Sequence, residues 1–244
     1  MNTAVYAATT GMLNRARALD VTANNLANAG TAGFKREELL TSAFDEQVML
    51  RLEGEATEIG GMNHGAIGTG IYSDVSQGAL EATGRTLDFA IAGDGFFVVE
   101  DPQGVQGLTR NGSFTVREDG YLMTSSGSYV HGQNGRLQLG NGEIAVSKAG
   151  EITVDGQNRG ALLIVVPQET QAMAKQENGT FARPAGNGAF AGSILQGTLE
   201  RANVNMVEEM SDMIASSRAF QTCGQVLRIL DSVNQKTVTE IGRF

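Results

Sequence analysis

The chain has 244 residues, 41% of them hydrophobic and 18% charged, with a net charge of −9. That is enough chain for one or two domains with a real core. It is too acidic, and too poor in basic clusters, to hold nucleic-acid phosphates or an anionic membrane surface. Glycine is abundant at 32 residues, while there are only 3 prolines and no tryptophan. This balance points to many tight turns between strands, not to a flexible linker. The single cysteine, Cys223, excludes an internal disulfide and a cysteine-ligated metal site. No apolar run approaches the roughly 20 residues needed to span a bilayer. The start of the chain lacks the charged and apolar blocks of a secretory signal, so the expectation is a cytoplasmic protein or one exported without signal cleavage.

The first predicted element is a helix over residues 3–28, rich in Ala and free of Pro. Val5, Met12, Leu19 and Leu26 fall seven apart along it. Spacing by sevens places apolar side chains on one narrow seam that another helix covers. Asn28, Gly30 and Gly33 are expected to end this helix, because Asn and Gly tolerate the left-handed backbone used there.

Residues 37–52 read as a short helix carrying Leu40, Phe44 and Val48, and residues 54–70 as an extended, glycine-rich connector holding His64. From residue 87 to 166 the period changes to strands. Phe89 and Ile91 alternate with small residues, and Phe96–Val99 form a short strand that is apolar throughout. The dipeptides Asn111-Gly112, Asp119-Gly120, Asn134-Gly135, Asn141-Gly142 and Asp155-Gly156 are each expected to supply the positive φ of a hairpin turn. Short strands with such frequent turns predict a compact antiparallel barrel or sandwich. Residues 161–166 read as its last buried strand, stopped by Pro167, and Phe181 and Phe190 as plugs into the β region from the polar stretch 170–193.

A second helix is predicted from Asn205 to about residue 240, with Asn205 as its cap and Glu208 at the third position of a capping box. Glu208 and Glu209 also suit the positive end of the helix dipole. Met206, Met213, Phe220, Leu227 and Ile241 repeat the spacing of seven, with Asn234 in one turn. Met210 and Leu230 complete the expected assembly face, and the methionines suit a contact with varied shapes.

Little here reads as chemistry. Gly93-Asp94-Gly95 lacks the third glycine of a dinucleotide loop and precedes a strand, so it reads as a tight turn. His64 and His131 are read as lying in different glycine-rich loops without metal-ligand spacing, as surface or turn residues. Asp88, Asp94 and Asp119 form a catalytic pair only if the fold brings them together; two of them stand beside Gly, where Asp serves a turn. Asn111-Gly112-Ser113 and Asn178-Gly179-Thr180 match glycosylation sequons but are simpler as turns. No catalytic residue, metal or cofactor is expected.

Three stretches resemble the signatures of flagellar basal-body rod and hook proteins. The first is Asn24-Asn25-Leu26-Ala27-Asn28 followed by Thr31, Gly33, Phe34 and Lys35. The second is central: Thr83-Gly84-Arg85, Leu87-Asp88, Gly93-Asp94-Gly95-Phe96-Phe97 and Thr109-Arg110-Asn111-Gly112-Ser113-Phe114. The third is Leu199-Glu200, Ala202-Asn203-Val204-Asn205, Val207-Glu208-Glu209-Met210, Met213-Ile214 and Arg218-Ala219-Phe220. Within the family the wording is most similar to proximal-rod proteins, with distal-rod proteins next; Arg201-Ala202 and Ala29-Gly30 depart from the usual motif edges.

The resemblance implies an α+β protein. Long N- and C-terminal helices form a coiled-coil domain, and a glycine-rich, mainly antiparallel β middle domain forms an outer layer. The expected division is 1–30, a connector 31–82, a β domain 83–198, and 199–244. It further implies a structural subunit without enzymatic activity. Its partners are other rod and hook-family subunits and the flagellar export apparatus, and its place is the rod that crosses the periplasm and transmits torque. The free monomer is expected to leave both helical ends frayed until it assembles. The alternative outside the family is a secreted β-domain binding module on a helical oligomerisation stalk.

Overall fold

The computed structural model describes residues 3–43, 47–51, 57–62, 66–140, 142–168, 173, 175–176, 179–184 and 186–242. Phe44, His64, Asn141, Thr170 and Asn178 lie outside them. The protein is α+β: two helices, α1 (Thr3–Ala27) and α2 (Met206–Ile241), enclose a long run of short strands in sequence. It divides into two compact units. One comprises residues 1–27, 37–72 and 205–244, and the other residues 28–36 and 73–204.

In the first unit α1 and α2 pack on each other. Asn25, near the end of α1, bonds Glu209, near the start of α2, and Gly11 faces Cys223, so the helices run antiparallel. On α2 the half-buried or buried positions include Glu209, Met213, Ser216, Phe220, Cys223, Leu227 and Leu230, the three-four alternation of a narrow helical seam. Asn205 caps α2 by accepting the Val207 N–H at 3.2 Å. Among the described residues no reciprocal bond from Glu208 to the Asn205 backbone completes a capping box.

Within the predicted helix 37–52, the described residues 37–43 and 47–51 are not helical. Glu37–Ala43 is a strand paired with Ala66–Ser73, and Gln47–Arg51 is a strand paired with Thr57–Met62. Leu40, Phe44 and Val48 repeat every four positions as on a helix, but strand pairing, together with the grip of the Asn25 side-chain amide on the Glu37 backbone, sets the described residues extended. The stretch 54–70 likewise contains strand, not only connector.

The second unit is built from antiparallel pairs. Its largest sheet runs in the order Phe181–Ala182, Gln106–Thr109, Phe96–Glu100, Tyr129–Gly132, Leu122–Thr124, Phe114–Val116, with Ile164–Pro167 also against Phe96–Glu100. The first four residues of the strand Phe96–Glu100 are all apolar because each face meets its own cluster. Phe97 and Val99 join Phe89, Phe114, Leu122 and Ile152, while Phe96 and Val98 join Leu108, Val165 and Phe181. The Phe97 and Phe114 rings meet edge-on, centroids 5.3 Å apart. Phe181 is buried and Phe190 packs against the first cluster, as their plug reading requires.

Several turn expectations change. Asp155-Gly156, both at positive φ, closes a two-residue hairpin between Glu151–Val154 and Gln157–Ala161. Gly120 and Gly135 also adopt positive φ. Gly112 does not: a Cβ there would stand 1.7 Å from the Phe89 carbonyl oxygen, so close backbone approach demands glycine. Gly142 is also not at positive φ. At the end of α1 only Gly33 is left-handed, at φ +68°; Asn28 and Gly30 are not. Residues 161–166 are split between two strands, and four short strands follow them: Phe181–Ala182, Asn187–Gly188, Ser193–Gln196 and Thr198–Glu200.

Candidate functional site

On α1, Val5, Met12, Leu19 and Leu26 are all half-buried. On α2, Met213, Phe220, Leu227 and Leu230 are half-buried, whereas Met206 and Met210, near its start, are 45% and 49% exposed. Val207, Ile214, Val226, Ile229, Val233 and Val238 are also exposed. At 1.5 Å per residue α1 is about 38 Å long and α2 about 54 Å. The antiparallel register therefore runs out near Asp231, and residues 231–240 are all exposed.

Two asparagines of α1 each grip a strand. Asn25 donates to the Glu37 carbonyl at 2.8 Å and accepts the Glu37 N–H at 2.9 Å. Asn14 donates to the Ala66 carbonyl at 2.6 Å and accepts the Gly68 N–H at 2.9 Å. Their separation is about three helical turns, so both project from one face. Asn24 adds a bond to the Glu37 carboxylate at 2.9 Å. Asn25 also reaches the Glu209 carboxylate at 3.2 Å, so one buried amide joins both helices and a strand. Glu208, its neighbour, is exposed.

In the β unit the central and C-terminal motifs converge on Glu200. Its carboxylate accepts the Lys35 ammonium at 2.5 Å, the Arg110 guanidinium at 2.9 Å and the Gly78 N–H at 2.9 Å. Its carbonyl accepts the Gly33 N–H at 2.7 Å. The Lys35 and Glu200 side chains are fully buried and that of Arg110 nearly so. Burial holds the Lys35 pKa below the ordinary lysine value, opposed by its bond to Glu200. Arg110 continues to the Gly93 carbonyl at 2.9 Å and lies over the Phe96 ring. Gly93 and Gly95 bend the chain at positive φ between Phe89–Ala92 and Phe96–Glu100, so Gly93-Asp94-Gly95 is a turn. Phe34 stacks under the Lys175 ammonium. Asn203 accepts the Arg36 N–H at 2.7 Å and donates to the Asp74 carbonyl at 2.9 Å. Val204 beside it is half-buried.

Nothing comparable surrounds the carboxylates considered for chemistry. Asp88 is buried and bonds Thr83, Asp94 is exposed, and Asp119 serves the turn before Tyr121. His131 is not in a loop: it belongs to the strand Tyr129–Gly132 and meets the Glu100 carboxylate at 2.5 Å. Arg136 binds the same carboxylate, and this bond holds the Glu100 pKa below its ordinary value. Asn111 accepts the Ser113 N–H in a local turn. Among the described residues no three His, Cys, Asp or Glu side chains gather as metal ligands would, and no helix is long and apolar enough to cross a membrane.

Asn14, Lys35, Arg110 and Glu200 therefore do more than the sequence assigned them. Asn14 was legible as a partner to Asn25 on one helix face. The charged trio was not, since its members are spread along the chain, Lys35 and Glu200 by 165 positions.

Helices from the two chain ends that pair with each other, with a β unit inserted between them in sequence, define a class of helix-pairing subunits. Residues 5–35 match the flagella basal body rod protein family, residues 90–182 the flagellar hook protein FlgE/F/G D1 domain, and residues 195–240 the flagellar basal body rod FlgEFG protein C-terminal family. The chain is 31% identical over 250 residues to flagellar basal-body rod protein FlgF of Rhizobium meliloti (strain 1021), covering 99% of each. It is 32% identical over 249 residues to FlgF of Escherichia coli (strain K12), covering 95% of each. It is 29% identical over 260 residues to flagellar basal-body rod protein FlgG of Bacillus subtilis (strain 168), covering 96% of this chain and 97% of that one. The chain belongs to the flagellar basal-body rod family and is a structural subunit of that rod.

Proposed function

We propose that the chain is a proximal-rod subunit whose terminal helices pair as a coiled coil with those of neighbouring rod and hook-family subunits. The observation that carries this reading is the unequal helix pair. α2 outruns α1, and its Met206, Met210, Val233 and Val238 stand exposed among the described residues. Val5, Met12, Leu19, Leu26, Met213, Phe220, Leu227 and Leu230 are only half-covered, and together with Met206 and Met210 they form the assembly face. Covering such a face stabilises assembly by about 25 cal/mol per Å² of apolar surface removed from water. Repetition of one heterologous contact grows an open helical shaft, which suits torque transmission across the periplasm. The β unit forms the outer layer, and export runs through the flagellum's own apparatus without signal cleavage.

The test is quantitative mass spectrometry of hook–basal bodies purified from the native organism. A handful of copies supports the proximal rod. Many copies move the chain to the distal rod, and absence from intact particles defeats the rod-subunit reading.

A further inference from the structure

Glu200 is the last residue of its strand and the meeting point of four segments of the β unit. Its carbonyl holds Gly33, and its carboxylate holds Lys35, Gly78 and Arg110. Lys35 also donates to the Ser76 carbonyl at 2.5 Å. Three residues on, Asn203 ties the Arg36 N–H to the Asp74 carbonyl. The segment ending at residue 36 and the segment after residue 198 thus bond each other directly and share Asp74 and Ser76 as partners.

A trio of buried charges is a poor way to gain stability, because desolvation offsets the attraction and apolar residues of similar volume often do as well. The trio is also imperfect: the buried Arg110 Nε has no hydrogen-bond partner among the described residues. What the charges supply instead is selectivity. Lys35 or Arg110 buried without Glu200 is an uncompensated cation, so no partly closed arrangement is tolerable. The close fit of Gly33, where a Cβ would stand 2.3 Å from the Arg110 carbonyl carbon, leaves no slack for another register.

We propose that the Lys35–Glu200–Arg110 trio is a closure latch. Residues 28–36, 74–79 and 198–204 dock on the β unit in one cooperative step, and the trio fixes their register instead of adding stability. Since Glu200 lies far along the chain, the latch closes only after the whole β unit is present.

Residue-resolved amide hydrogen exchange on the full chain tests this. In Glu200→Gln the amides of Gly33, Arg36 and Gly78 are expected to lose protection together, at least tenfold, while Val98 and Val99 keep theirs. Loss at only one of the three, or at none, overturns the single-step latch. A triple variant, Lys35→Met with Arg110→Met and Glu200→Met, guards against a Glu200→Gln chain that does not fold. It is expected to keep the wild-type urea midpoint and core protection while Gly33, Arg36 and Gly78 exchange fast. Wild-type protection at those three amides in the triple variant shows that packing alone closes the unit and defeats the proposal. A midpoint well below wild type shows that the charges serve stability, and also defeats it.

Discussion

Asn25, a residue only 1% exposed, closes a two-bond ring on the backbone of Glu37, with bonds of 2.8 and 2.9 Å. This ring replaces one that a neighbouring strand would otherwise supply, and it anchors the start of Glu37–Ala43 to α1. Asn25→Ala leaves a buried N–H and a buried carbonyl unsatisfied. The expected cost is about 3 kcal/mol, from the penalty for orphaned buried polar groups. Denaturant unfolding measures it, and Asn25→Asp should cost nearly as much because it removes the donor beside the Glu209 carboxylate. A loss below about 1 kcal/mol for Asn25→Ala would mean that the ring is replaced by water.

Glycines divide into those that relieve crowding and those that only weaken a helix. A Cβ at Gly112 meets the Phe89 carbonyl, whereas one at Gly224 inside α2 meets nothing within 4 Å. Gly112→Ala is expected to unfold the β unit or lower its midpoint severely. Gly224→Ala is expected to stabilise α2 by about 1 kcal/mol, the difference in helix propensity. Thermal melts of the two variants should move in opposite directions. A neutral Gly112→Ala would contradict the close approach.

The acid limb of stability should carry the signature of Glu100. The Arg136 bond, with help from His131 and against some desolvation, holds its carboxyl below the ordinary 4.5. A carboxyl whose pKa is depressed on folding contributes stability above its unfolded value, and loses that contribution as pH falls through the folded value. Wild type should therefore melt higher than Glu100→Gln at about pH 6, and the gap should shrink below about pH 4. A gap that stays constant down to acid pH would show that the pair does not titrate with folding.

The sequence showed the helices because their signals are local: alanine-rich composition, a cap at Asn205, and apolar residues by sevens. It showed the strand Phe96–Glu100 for the same reason, since four apolar residues between turns need no partner to be recognised. It misread residues 37–52 because Leu40, Phe44 and Val48 repeat as on a helix, while the grip of Asn25 on Glu37 acts across twelve positions. It also gave Glu200 no structural role, although the residue stands in the third motif. A lone glutamate at a strand end has the pattern of a solvated residue, and only the arrival of Lys35 and Arg110 makes it the hub of the unit. Gly112 carried the right residue for the wrong reason, steric approach and not positive φ.

The helix pair predicts a gradient of order along α2. Between Glu209 and Leu230 the helix is backed by α1, and Asn25 ties its start. Residues 231–240 have no such backing and are exposed on every face. A helical segment that short has no independent stability in water, because nucleation costs outweigh its few hydrogen bonds. In dilute monomer the amides of 231–240 should exchange at least tenfold faster than those of 213–227. In the assembled rod the two stretches should converge, since neighbouring helices then cover Val233 and Val238. Hydrogen exchange followed by mass spectrometry on monomer and on purified basal bodies compares them directly. Equal protection in the monomer would show that α2 holds itself together without a partner. Persistent fast exchange in the basal body would place the end of α2 outside the helical contact and return the assembly face to the stretch that α1 already half covers.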